Sequence, residues 1–255
     1  MVDELERVLA QPLPAGGTVL DVGTGTGNVA IKLAAMGRFD RVLGVDISEK
    51  MMEKAAANAQ AANCQVEFFK TDMVKLPLAD VSVDFVVGCA ILHHLPDPVS
   101  FMKEVQRVLK PGAQCVFIGE PAAWMSRVSG LLKAPLLAVD KLYKWFNGRE
   151  ARWNEHVDVH TFSMHDIEVM TRDFDNIRIQ PEGFSVVLDD VYSGPIRLVL
   201  GAVPGVVSLT GLVRKGLLTL DDAVLNRILP NRMLATVKFA ATRPADPATI
   251  RARLS

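Results

Sequence analysis

The residues with the clearest chemical potential lie in one short stretch, Val19 to Ala34, which reads VLDVGTGTGNVAIKLA. Gly23, Gly25 and Gly27 alternate with Thr24 and Thr26 between an apolar run and a helical pattern. Glycines let a turn take positive φ and bring bare backbone against a ligand, while the following helix start offers free N–H groups. A nucleotide-like ligand suits such a turn. The dinucleotide fingerprint G-x-G-x-x-G faces a pyrophosphate, but here the third glycine comes one residue sooner. No Gly-Lys-Ser/Thr follows, which excludes a Walker phosphate loop. Asp21 is an acid inside the apolar run.

Further polar groups recur at equivalent places. GVDIS puts Asp46 at the end of a second apolar run, where a carboxylate can accept both hydroxyls of a ribose. KTDM puts Asp72 and Met73 at the end of a third, suited to an adenine amino group and ring face; Asp72 can equally cap a turn. The fourth run ends in VVGCAILHHLPDP, and LKPGA precedes the fifth, which ends at Glu120. His93 and His94 can act as a base near neutral pH, or one ring can simply pack under a loop. Glu120 can orient a reacting partner or hold the turn that follows it. His156, His160 and His165 are spaced four and five apart, yet no cysteine or carboxylate cluster joins them, so no metal site is expected. His156 or His160 instead suits an acceptor pocket.

These groups need strands and helices to position them. TVLDVG, RVLGVDIS, CQVEFFKTD, VDFVVGCAIL and AQCVFIGEP read as strands. NVAIKLAAMG, EKMMEKAAANAQAAN with Ser48 as N-cap, and PVSFMKEVQRVLK read as helices, the last stopped by Pro111-Gly112. Alternating β and α at this spacing predicts a doubly wound α/β sheet, mostly parallel, with helices on both faces. Ligands of such sheets sit beyond the carboxyl ends of the strands. NIRIQPEGF and LATVKFAATRP supply two later strands, and FSMHDIEVMTRDF a helix with Ser163 as N-cap. One domain spans 1–255, with a cofactor-binding core at 18–121 and helical lid segments at 122–175 and 183–233.

The totals narrow the class. The chain has 255 residues, 28 basic and 29 acidic, with a formal charge of −1 and no basic block. Nucleic acid is therefore not an expected partner. The three cysteines form no CxxC pair, which fits reduced thiols in the cytoplasm. The N-terminus lacks the layout of a secretory signal. Leu198 to Val213 is strongly apolar but short for a membrane span and interrupted by Pro204, so a buried or lid role, with at most peripheral membrane contact, is expected. A monomer or homodimer is anticipated.

VLDVGTGTG, GVDIS, TDMVKLPLADVSVDFVVGCAILHHL and LKPGAQCVFIGEP, in this order and spacing, resemble the class I S-adenosylmethionine-dependent methyltransferases. The nearest branch in character acts on small molecules, as in ubiquinone and menaquinone biosynthesis. The resemblance covers Thr18 to Pro121 and implies a seven-stranded sheet whose last strand is antiparallel. It also implies S-adenosylmethionine as cofactor and methyl donor. Asp21, Gly23, Thr24, Gly25 and Gly27 would serve its methionine and ribose side, and Asp46 the ribose hydroxyls. Ile47 and Met51 would pack near adenine, although Met51 can equally be a core helix residue. Asp72 and Met73 would meet the adenine edge, and Cys89 and Ala90 the sulfonium. Glu120, Trp124, His156 and His160 are candidates for the acceptor pocket, and His93 and His94 for catalysis.

The two later segments are rich in Leu, Trp and Phe, including Trp145 and Phe184. They predict a small lipophilic acceptor methylated on oxygen or carbon, or else merely pack onto the sheet. Two rival readings stand beside this one. A non-catalytic protein can keep the same cofactor fold. A nicotinamide-dependent oxidoreductase shares the strand, turn and acid, but lacks a Tyr-x-x-x-Lys pair.

Overall fold

A computed structural model describes residues 1–123, 161–182 and 236–246. The chain divides into two compact units, one of residues 1–120, 164–180 and 238–255, the other of residues 121–163 and 181–237. Its elements are α1 (Val2–Leu9), β1 (Thr18–Val22), α2 (Asn28–Ala35), β2 (Arg41–Asp46), α3 (Glu49–Ala61), β3 (Glu67–Lys70) and β4 (Val83–Cys89). A 3-10 turn (Leu92–His94), α4 (Pro98–Val108), β5 (Leu109–Pro121), α5 (Met164–Thr171), β6 (Asp175–Glu182) and β7 (Thr236–Thr242) follow.

The seven strands form one sheet in the order β3-β2-β1-β4-β5-β7-β6. Strands β1 to β5 pair in parallel, with Asp21 beside Gly44 on one side and Val87 on the other. β7 runs antiparallel: Gly112 N–H donates to the Arg243 carbonyl and Arg243 N–H to that of Ala113, while Cys115 faces Ala241. Strand order reverses between β1 and β4, so a crevice opens at their carboxyl ends, where ligands of open α/β sheets sit.

Alternation along the strands fills two faces. Val19, Phe85, Val87, Val116 and Ile118 form one core cluster with Val29, Ala30 and Leu33 of α2 and Leu5, Val8 and Leu9 of α1. On the other face Phe117 packs edge-on against Phe101 of α4 and stacks on Phe239 at 5.2 Å. Burying each such side chain contributes about 1.5–3 kcal/mol. The helix starts follow the sequence signals. Ser48 Oγ accepts from Met51 N–H at 3.4 Å, and Asp97 Oδ1 from Ser100 N–H at 2.9 Å with Pro98 in the first turn.

Two local expectations are corrected. The acidic N-terminal stretch, read only as lacking a signal, is the amphipathic helix α1, and three of its eight residues are buried. Pro111-Gly112 does not end α4: the helix closes at Val108, and the dipeptide lies inside β5 with Gly112 at φ +77°. Val83 pairs with Leu109 but Phe85 with Gln114, so five steps on β5 answer two on β4 and three extra residues bulge outward.

In the second unit, Phe162 N–H donates to the Pro121 carbonyl at 2.8 Å and Ala123 N–H to that of Phe162 at 2.9 Å. The ends of the intervening excursion therefore meet. Trp124, Trp145, His156, His160, Phe184 and the apolar run at 198–213 lie outside the described residues. Among the described residues no helix is long and apolar enough to cross a membrane.

Candidate active site

The glycine turn is held by two carboxylates from adjacent strands. Asp21 is 1 % exposed; its Oδ2 accepts from Thr24 Oγ1 at 2.6 Å and from Ala30 N–H at 3.1 Å. Ala30 is the third residue of α2, so this strand acid caps the helix that Gly27 opens without a side-chain cap of its own. Burial pushes the Asp21 carboxyl up to about 7, against the pull of the Thr24 and Ala30 hydrogen bonds, with Asp46 adding repulsion. The acid in the apolar run thus orders the turn.

Asp46 ends β2 and is partly exposed. Its Oδ2 accepts from Gly25 N–H at 2.8 Å and its Oδ1 from Ser48 N–H at 2.9 Å. Each oxygen keeps acceptor capacity for a further donor such as a ribose hydroxyl. Gly23, Gly25 and Gly27 take φ of +67°, +53° and +82°. A Cβ at Gly23 would strike Ile91 at 2.5 Å, and one at Gly27 would crowd Ala55. At Gly25 it would meet nothing within 4 Å. The middle glycine alone faces an open cradle.

The apolar neighbours expected beside Asp46 stand in the open: Ile47 is 63 % and Met51 42 % exposed. Thr71 N–H donates to the Asp46 carbonyl, which brings the end of β3 alongside. Beyond it Asp72 Oδ1 accepts from Val74 N–H at 3.0 Å, so Asp72 does cap a turn, while buried Met73 takes φ +65°.

The ends of β4 and β5 form the other side. Cys89 and Ala90 are exposed, Ala90 at φ +54° with its N–H on the Ile118 carbonyl. Cys89 has surface exposure, yet the protein packed around it pushes its thiol up to about 11. Asp21, Glu4 and Glu120 push the same way, and Lys238 opposes them. A thiol so shifted stays protonated near neutrality.

Glu120 is fully buried. Its carboxylate accepts from the N–H groups of Ile91 (3.0 Å), Leu92 (3.1 Å) and His93 (3.2 Å), and lies 2.8 Å from His93 Nδ1. The turn that Glu120 holds is therefore the one after β4, not the one that follows Glu120 itself. His93 is 9 % exposed and His94 is exposed, their ring centroids 4.1 Å apart. His165 is remote in character: an exposed side chain on α5, 3.8 Å from Glu168. Among the described residues no three His, Cys, Asp or Glu side chains group as a metal site.

Two features escaped sequence reasoning. Ile91 plugs the space above Gly23 and Gly88, locking the turn after β4 against the glycine turn. Lys238 of β7, 8 % exposed, pairs with Glu4 of α1 at 2.5 Å, and both act on the Cys89 thiol. An isolated lysine in the otherwise apolar TVKFAAT was the available signal. A separate groove of about 500 Å³, bounded by Phe39, Arg41, Cys64, Val66 and Phe68, includes none of the strand-end groups.

The residues fit S-adenosylmethionine: an open backbone cradle at Gly25, a carboxylate with spare acceptor capacity, and exposed apolar side chains beside it. Residues 20–117 match the family described as methyltransferase domain. A 27-O-demethylrifamycin SV methyltransferase of Amycolatopsis mediterranei is 38% identical over 116 residues, covering 45% of this chain and 42% of that protein. A demethylmenaquinone methyltransferase of Bacillus licheniformis is 36% identical over 105 residues, covering 41% and 45%. The chain thus spans less than half the length of these curated relatives. A crystal structure of a putative methyltransferase from Bacillus halodurans covers 95% of this chain and 98% of its own, with a TM-score of 0.56 at 19% identity, and so shares the fold. Sheet order, strand-end groups and family match agree: the segment 20–117 is a methyltransferase domain of the S-adenosylmethionine-dependent class.

Proposed function

We propose that the protein transfers a methyl group from S-adenosylmethionine to a small, lipophilic acceptor, on oxygen or on an activated carbon. The observation that carries this reading is the open cradle at Gly25, braced by Asp46. Bound there, the cofactor supplies an electrophilic methyl on a sulfonium whose departure leaves a neutral thioether. The glycine turn and Asp46 bind it, Asp72 and Met73 border its adenine with Ile47 and Met51, and Cys89 and Ala90 line the reacting side. Alignment and exclusion of water are the main contributions of the chain. A hydroxyl acceptor must also lose a proton, and His93 and His94 stand on the turn beside Ala90. The acceptor class is supported by the names of the relatives, one a rifamycin and one a demethylmenaquinone methyltransferase, and by the apolar lid segments of the sequence.

The test is incubation with methyl-labelled S-adenosylmethionine and two probes, a prenylated naphthohydroquinone and 27-O-demethylrifamycin SV, alongside a native small-molecule extract. Product heavier by one methyl is expected. Calorimetric binding of the cofactor with no labelled product from any source would favour a non-catalytic binding protein. Binding of NADH instead would overturn the reading entirely.

A further inference from the structure

We propose that Glu104 and Arg107 of α4 are positioning residues for the cofactor, because they fix Leu76 and with it the bend that carries Asp72 and Met73. The inference rests on the methyltransferase reading above and deepens it, adding two residues that act through the chain rather than on the ligand. The Arg107 guanidinium uses all five of its N–H donors here. Nε meets the Glu104 carboxylate at 3.0 and 3.1 Å, and Nη2 meets it at 2.8 Å. Nη2 also donates to the Leu76 carbonyl at 3.1 Å, and Nη1 to the Leu78 carbonyl at 2.9 Å and to Asp80 Oδ1 at 2.6 Å. Glu104 Oε2 in turn accepts from Leu76 N–H at 3.1 Å. Leu76, 1 % exposed, is thus gripped at both its N–H and its carbonyl by one pair of side chains 28 and 31 residues further on.

The bend is pinned at its other end too. Thr71 N–H donates to the Asp46 carbonyl at 3.0 Å, and the Thr71 hydroxyl to the Lys75 carbonyl at 3.2 Å. Met73 N–H donates to the same hydroxyl at 3.3 Å, and Val74 N–H to Asp72 Oδ1 at 3.0 Å. Asp72 and Met73 therefore sit between a fixed strand end and a fixed Leu76. Met73 holds φ +65°, a left-handed conformation that a residue with a side chain keeps only where its surroundings enforce it. Freed at Leu76, the bend would relax toward ordinary φ and turn Asp72 off its present line. With Oδ1 on Val74 N–H, Asp72 keeps Oδ2 for a donor such as the adenine amino group. The Arg107 hydrogen bonds hold the Glu104 carboxyl below the usual carboxylate range against the push of burial, so the clamp stays charged near neutrality.

The experiment titrates the full chain, in a calorimeter, with S-adenosylhomocysteine and with its inosine counterpart, which carries an oxo group where adenine has its amino group. Wild type should bind the adenine form about tenfold more tightly. Arg107→Lys keeps the charge but loses the planar five-donor fork. It should weaken the adenine form about tenfold, leave the inosine form within about threefold, and so erase the preference. With the prenylated naphthohydroquinone as acceptor, the same variant should raise the KM for S-adenosylmethionine about tenfold while kcat stays within about threefold. Glu104→Gln, which keeps the side chain's shape and one acceptor oxygen, should shift both readings the same way and decides the matter if Arg107→Lys does not fold. Equal weakening of the two ligands, or no weakening, overturns the proposal and leaves the pair a purely structural one; so does a wild type with no preference between the bases. A wild type that binds neither ligand overturns the cofactor assignment itself, and the proposal with it.

Discussion

The two sides of the crevice are organised on opposite principles. At the glycine turn, two carboxylates one strand apart brace the backbone, one from 3 and one from 21 residues away, and beside them Ile47 and Met51 stand open. On the other side, a single buried carboxylate holds a turn 27 to 29 residues away, and of the Glu120–His93 pair only the histidine edge reaches the surface. The first side leaves open space at Gly25. The second is complete in itself and needs no ligand to be rigid. Ile91 is where the two meet.

That contrast can be broken at its joint. Gly23→Ala places a methyl 2.5 Å from Ile91 at a positive φ, so it should destabilise the fold by about 3 kcal/mol, read by denaturant melts. Gly25→Ala, with the same backbone demand but open space, should cost only about 1 kcal/mol. Equal losses at the two positions would deny the wedge. Next in size is Asp46→Ala, expected to weaken S-adenosylmethionine binding about a hundredfold in calorimetry, roughly 2.7 kcal/mol, while the fold survives. Retained affinity would remove Asp46 from the site.

Asp21 tests the buried brace through pH. The native carboxyl holds its proton to about pH 7, whereas the unfolded one releases it near 3.8. Stability from this group is therefore complete below the lower value and is lost as pH rises through the upper one. Asp21→Asn should flatten that dependence and gain about 2 kcal/mol on wild type between pH 5 and 8. A parallel pair of stability curves would show that Asp21 does not titrate there. The smallest effect belongs to Ser48→Ala, which removes a long N-cap bond of 3.4 Å at α3 and should cost about 0.5 kcal/mol.

The same contrast explains what could be read before the fold was seen. The succession of strands and helices up to β5, the glycine turn and the acids after β2 and β3 are written locally, as alternation, caps and short spacings. Asp21 was visible as an anomaly, but its role as a helix cap depends on α2 returning over β1. The partnership of Glu120 with the His93 turn is invisible locally, because the β4–β5 register creates it. Glu4 with Lys238 is more remote still, joining the first helix to the last strand. Helix α1 was missed because eight residues with an acidic start carry too little periodicity to announce a buried face. Pro111-Gly112 misled because a stop signal for a helix also serves as a bulge in a strand.

That bulge has a consequence for how the chain tolerates change in length. It sits before Gln114, and from there β4 and β5 run in step to Cys89 and Ile118. Residues gained or lost around Lys110 to Ala113 can leave the β4–β5 pairs beyond Gln114 in register, while the bonds of Gly112 and Ala113 to Arg243 would have to shift. The strand thus carries its slack on the side that faces β4 and none on the side bonded to Arg243.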